Sequence, residues 1–272
     1  MLQTLKLRAR PVRQAIAARL EARSLKAVRT IPSSADALIP AAHIDATKFL
    51  RSTEIDRIWN ESSARLSGIR IPDQSVGVNA GDGRALFHIA SYFQPCMVLE
   101  IGTGVGASTL HLAAALRRNG RGRLLSVDLV DTNASHHSRS PIRPRPIDRL
   151  SAAGCSDVVE FIVGRSRDVL RGTNLRFDLV FIDGDHSAAA VYEDIASVLN
   201  GLRPDGVIVL HDYFPGMRPL WSDRLVIPGP ALAVQRLRAE GVSVEALPLA
   251  SLPWPTKQAS SATSLAMLGR QS

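Results

Sequence analysis

Two short runs concentrate ionisable side chains: Asp183-Gly184-Asp185-His186 and His211-Asp212. Each closes an apolar stretch, residues 177–182 and 206–210. Neighbouring carboxylates can hold a divalent cation, and a carboxylate or imidazole beside a hydroxyl can take its proton. Residues of these types, gathered in two short runs, mark a candidate site; their spacing alone assigns neither a metal nor a base. A second group lies upstream. Gly102-Thr103-Gly104-Val105-Gly106 follows the apolar run 97–101 and leads into Ala107-Ser108-Thr109-Leu110. Glycines let backbone approach a ligand without a Cβ in the way, and the start of the following helix offers free N–H groups. Asp128 stands 24 residues beyond Gly104, where a carboxylate can grip ribose hydroxyls. The spacing Gly102-x-Gly104-x-x-Ala107 also satisfies the looser dinucleotide pattern, so NAD(P) remains an alternative.

These residues need elements to carry them. Short apolar runs at 97–101, 123–129, 158–163, 177–183 and 206–210 read as strands. Helical stretches at 108–116, 147–153, 191–202 and 228–240 separate or follow them. Strands alternating with helices predict a doubly wound α/β sheet, and the nearly all-apolar run 177–182 predicts a strand buried on both faces. Ligands of such sheets bind beyond the carboxyl ends of the strands. Glu100, Asp128, Asp183, Asp185, His186, His211 and Asp212 all fall at such ends. Residues 242–249 and 262–268 predict two closing strands joined by a Pro/Ser-rich loop, an antiparallel hairpin at one sheet edge.

The N-terminal third is different. Residues 1–30 carry eight basic residues against one acid, Glu21, and so hold +7 of the net +8. They predict a basic helical segment interrupted near Pro11, with Val12, Ile16 and Leu20 on one face; it reads as a solvated tail or a helix packed on an oligomer partner, ahead of a membrane-surface or partner contact or a targeting peptide. The remaining chain is near neutral, which argues against nucleic acid. Residues 31–44 read as a linker, 45–66 as a helix, 70–83 as a loop and 84–93 as a helix. Residues 131–146 form a polar insertion with His136 and His137, read as a mobile loop. No run of about 18 apolar residues is present, so no membrane span is expected. Cys96 and Cys155 lack metal or CxxC spacing and read as small buried hydrophobes in a reducing cytoplasm. Phe214 and Trp221 either line an acceptor pocket or pack a lid.

Four ordered motifs, Val-Leu-Glu-Ile-Gly-Thr-Gly-Val-Gly at 98–106, Ser-Val-Asp at 126–128, Phe-Ile-Asp-Gly-Asp-His at 181–186 and Leu-Arg-Pro-Asp-Gly-Val-Ile-Val-Leu-His-Asp-Tyr at 202–213, resemble the class I S-adenosylmethionine-dependent methyltransferases. The last two resemble the small-molecule O-methyltransferases related to catechol and sugar enzymes. The resemblance implies a mostly parallel seven-stranded sheet with the antiparallel C-terminal hairpin, in a domain over 84–272 preceded by a helical lid or linker over 31–83. It implies that Gly102, Gly104, Gly106 and Ser108 meet the methionyl part of S-adenosylmethionine, that Glu100 places its amino-acid end, that Asp128 holds the ribose, and that Gly164 and Ser166 flank the adenine. Asp183 would touch the cofactor or bind Mg²⁺ with Asp212, and Asp185, His186 or His211 would accept the proton of a small-molecule acceptor. His211 departs from the family, standing where metal-dependent sugar enzymes have a second acid, and Ala188 stands where an aromatic often follows Asp-His-Ser. A non-catalytic binding module of the same fold is the remaining alternative.

Overall fold

The structure, a computed structural model, describes residues 2–69, 77–134 and 144–271, with side chains from residue 14 onward. Strands β1 (Met97–Ile101), β2 (Arg123–Asp128), β3 (Val159–Val163), β4 (Phe177–Ile182), β5 (Leu202–Leu210), β6 (Val244–Pro248) and β7 (Ala266–Arg270) form one sheet in the order β3-β2-β1-β4-β5-β7-β6. The first five are parallel, and β7 lies antiparallel between β5 and β6. The order reverses at β1, beside which the chain crosses to β4. In doubly wound sheets that switch point opens a crevice at the strand ends.

The helices are α1 (Leu2–Ala27), α2 (Thr47–Leu50), α3 (Thr53–Ser67), α4 (Ala80–Phe93), α5 (Ala107–Asn119), α6 (Pro146–Ala153), α7 (Ser166–Gly172), α8 (Ala188–Leu199) and α9 (Gly229–Ala239). They cover the sheet from both sides. Alternation along β1 decides what each face meets: Val98 joins the core built with α4 and α5, whereas Leu99 and Ile101 join the core built with α1, α8 and α9. Glu100 falls between them on the α5 side, where no water can reach it.

Several boundaries differ from the sequence expectation. Helix α1 continues through Pro11, since a proline within a helix forfeits one backbone bond and need not end it. The expected linker is tied down. Leu38 is fully buried and bridges to Gly206, and Pro40 bridges to Arg270 at the sheet edge. The helix expected over 45–66 divides at Ser52, whose side chain accepts from the Ile55 N–H and caps α3. Helix α4 starts at Ala80 rather than Arg84, because Asn79 caps it by accepting from the Gly81 and Asp82 N–H groups; the boundary placed at 83/84 falls inside it. Cys155 is buried as expected, but Cys96 is exposed at the turn before β1. His136 and His137 lie outside the described residues, and among those described no helix is long and apolar enough to cross a membrane.

A crevice at the carboxyl ends of β1, β2, β4 and β5

A cavity of about 690 Å³ opens above these strand ends. It is lined by Gly102, Gly104, Ser108 and Asp128 on one side, Gly164 and Ser166 beyond them, and Asp183, Asp185, His186, His211 and Asp212 on the other. The sequence-predicted residues thus converge, with two exceptions. Gly106 is not among the lining residues. The direction in which its Cβ would point is closed by Pro146, which a side chain would strike at 2.8 Å. Glu100 lies behind the lining and is fully buried.

The glycine turn is shaped by its neighbours as much as by any ligand. At Gly102, with φ +96°, a Cβ would meet the Asp183 carbonyl oxygen at 2.1 Å, so a side chain here would push β1 and β4 apart. Gly104 has φ +48° and open space where a Cβ would stand. Asp128 braces the turn: its Oδ2 accepts from the Thr103 N–H at 3.1 Å and the Gly104 N–H at 3.0 Å. Its Oδ1 accepts from the Val130 N–H at 3.2 Å. A carboxylate offers about four acceptor positions, so at least one still faces the crevice.

Glu100 Oε2 accepts from the Thr109 hydroxyl at 2.6 Å and the Ser126 hydroxyl at 2.6 Å. Oε1 has no partner among the described residues. Burial raises the carboxyl to about 7, against the lowering effect of the Ser108, Ser126 and Thr109 hydroxyls. At the other end of the crevice burial likewise raises Asp194 to about 6, although the Ser166 hydroxyl donates to it. A buried carboxyl oxygen lacking a donor is what a ligand ammonium would satisfy, and the residues fit S-adenosylmethionine at this point.

The ends of β4 and β5 carry a charged network. His211 Nδ1 lies 2.9 Å from Asp183 Oδ1 and 3.6 Å from Asp212 Oδ1. Its Nε2 lies 3.6 Å from Asp82 Oδ2. Burial disfavours charge on the ring, but Asp183, Asp212 and Asp82 outweigh it and raise His211 well above its ordinary 6.5. That environment favours the protonated ring and places it in contact with Asp183. Asp82 is itself fully buried, accepting from Thr263 at 2.5 Å and Asn79 at 2.6 Å. Sequence reasoning missed Asp82, which fell in the stretch read as a loop, 129 residues before its partner. The N-capping pattern Asn79-x-x-Asp82 before an apolar helix was the available signal.

Asp183, His186 and Asp212 each place one ligand atom within 4.8 Å of the others. His211 occupies Oδ1 of Asp183 and leaves Oδ2, so the set can still take a cation. One nitrogen among two carboxylates suits a first-row transition ion such as Mn²⁺ better than Mg²⁺. Phe214 and Trp221 pack edge to face with ring centres 5.9 Å apart, both buried. They hold the segment after β5 in place.

A crevice at the switch point of a doubly wound sheet, a glycine turn braced by a strand-end acid and an acidic rim fit a nucleoside-binding enzyme. The comparisons agree. Residues 99–213 match the family described as a methyltransferase domain. The chain is 32% identical over 175 residues to a catechol O-methyltransferase of Mycobacterium tuberculosis (strain ATCC 25618 / H37Rv), covering 63% of this chain and 73% of that one. The O-methyltransferase TomG from Streptomyces achromogenes, solved with SAM, shares the fold with a TM-score of 0.53 at 24% identity, over 78% of this chain and 89% of that one. Cofactor-bound Rv0187 from MTB gives a TM-score of 0.53 at 25% identity, over 83% and 95%. The chain belongs to the class I S-adenosylmethionine-dependent O-methyltransferases and is an enzyme that methylates a small-molecule hydroxyl. The NAD(P) and non-catalytic alternatives fall with that assignment.

Proposed function

We propose that this enzyme methylates a phenol-type hydroxyl, with Asp183 and Asp212 orienting the acceptor and Asp185 or His186 taking its proton. The observation that carries the reading is the convergence of the strand-end acids with the open space above Gly104 in one crevice. The catechol activity named for the mycobacterial relative supports the acceptor class.

S-adenosylmethionine supplies an electrophilic sulfonium methyl. Gly104 would leave room for the methionyl chain, the Glu100 carboxylate behind the lining would attract its ammonium, Asp128 would hold the ribose, and Ser166 with Asp194 would border the adenine. Alignment of the oxygen with the methyl and sulfur is the main contribution these contacts make, since positioning alone can supply several kcal/mol of the barrier, about 7–11 in the best cases. Asp183, Asp212 and His186 would hold a divalent cation, which would acidify the acceptor hydroxyl. His211, 2.9 Å from Asp183, restrains that carboxylate. With His186 on the cation, Asp185 is the group left to take the proton; with no cation bound, His186, 3.7 Å from Asp212 and half-exposed, can take it instead.

The test is a screen of phenol, catechol and sugar acceptors with labelled methyl donor, run with Mg²⁺, with Mn²⁺ and in excess chelator. Methylation of a catechol, faster with Mn²⁺ than Mg²⁺, is expected. Undiminished turnover in chelator rules out the cation. Methylation of sugars alone overturns the acceptor class.

A further inference from the structure

The crevice is also lined by chain segments distant in sequence from the acids. Leu225 and Ile227, from the stretch after β5, line it together with Val78 and Lys257. The loop bearing Lys257 joins β6 to β7 and is pinned on both sides. Trp254 Nε1 donates to the Gly81 carbonyl at 2.8 Å, and Gly81 presses so closely that a Cβ there would meet the Pro255 carbonyl oxygen at 2.4 Å. On the other side the Ser222 hydroxyl donates to Gln258 at 2.8 Å, and the Gln258 amide donates to Asp223 at 3.2 Å. Lys257 therefore stands on fixed backbone. Its ammonium lies 3.6 Å from the centre of the Trp221 ring, and it makes no ion pair with a carboxylate among the described residues. An aromatic face orients a cation without neutralising it. One crevice is thus lined both by the strand-end carboxylates and by an ammonium without a carboxylate partner among the described residues, with Leu225 and Ile227 in its apolar lining.

We infer that Lys257 selects an acceptor that carries an anionic group, a carboxylate, on the end of an apolar or aromatic body opposite the hydroxyl to be methylated. The inference rests on the methyl-transfer reading of the crevice and adds the acceptor's charge to it. A carboxylate placed near Asp183 and Asp212 would be repelled, whereas one against Lys257 gains a charge-assisted contact and turns the hydroxyl toward the acids. A neutral acceptor would leave the ammonium unanswered and its own orientation unset.

The experiment uses the full chain with a panel of hydroxylated carboxylates, each paired with its near-isosteric amide: 3,4-dihydroxybenzoate with 3,4-dihydroxybenzamide, caffeate with its amide, and a hexuronate with its amide. Methylation is followed with labelled donor, and binding to the enzyme–S-adenosylhomocysteine complex is followed by calorimetry. For at least one pair the acid is expected to have the higher kcat/KM. In Lys257→Met the acid-to-amide ratio falls about tenfold, mostly through KM, while affinity for S-adenosylhomocysteine stays the same, showing an intact fold. Lys257→Arg restores much of the ratio. A ratio that does not depend on Lys257, a preference for the amides throughout, or a panel in which no acid binds or reacts overturns the inference. Failure of the wild-type chain to bind S-adenosylmethionine or S-adenosylhomocysteine overturns instead the methyl-transfer reading on which it stands.

Discussion

The two halves of the crevice are built on opposite plans. The half under β1 and β2 works through backbone: glycines without side chains, N–H groups drawn onto Asp128, and one carboxyl, Glu100, sealed under hydroxyls. Its parts come from a contiguous stretch, 100–109, plus one strand. The half under β4 and β5 works through charged side chains, with His211 held among Asp82, Asp183 and Asp212. Its parts come from α4, two strand ends and the loop before β7. The first plan gives a rigid, mostly uncharged cradle suited to a molecule that is always the same. The second gives a polarised surface that can be retuned by changing single side chains, which is what acceptor choice requires.

If that contrast is right, damage to each half should show in a different constant. The largest effect is expected at the rim: Asp212→Ala or Asp183→Ala should lower kcat by about 10²–10⁴-fold, the usual range for losing an acid–base or cation-holding group. Cofactor affinity by calorimetry should change little. A large parallel loss of cofactor binding would erase the division. Next comes Gly104→Val, which puts a branched side chain at φ +48° into the open space. It should weaken S-adenosylhomocysteine by about a hundredfold, the sum of backbone strain and lost room. Near-normal affinity would mean that the cofactor lies elsewhere.

A smaller effect is expected from Asp82→Asn, which keeps the shape but removes the buried charge facing His211 Nε2. It should lower kcat about tenfold and leave cofactor affinity unchanged. Equal losses in both would show that Asp82 serves only the fold.

The smallest effect is a pH dependence in the cradle. Glu100 sits near 7 rather than 4.5 because of burial. Its raised value means that the free protein loses stability as pH rises from the unfolded value through about 7, because the buried carboxyl must then ionise. A cationic ammonium in the crevice in front of Glu100 favours the ionised form, so cofactor affinity should rise several-fold between pH 6 and 8. Glu100→Gln should flatten that profile in calorimetric titrations; an unchanged slope assigns the pH dependence to another group.

Most of the cradle was legible before any coordinates. Glycines 102 and 104, Asp128 and the strand-end acids announce themselves because the chemistry needs particular residue types at short spacing, and strand periodicity fixes which end they occupy. The hairpin β6–β7 and the buried strand β4 followed from pattern in the same way. Gly106 shows the limit. It belongs to the motif, yet what requires it is Pro146, forty residues on. Pro11 shows another, since local propensity predicts a break that the helix does not make.

What the sequence by itself determined is the alternation of strands and helices and the presence of acids at one edge, because both are local properties of residue type and period. Which of those acids work together was decided only in the tertiary structure. Asp82, His211 and Thr263 span 181 residues and meet because α4 and the loop before β7 close over the end of β5. No local pattern encodes that approach. It comes from burying two apolar faces against one twisted sheet, and the upward shift of His211 is a consequence of the carboxylates that packing sets around it.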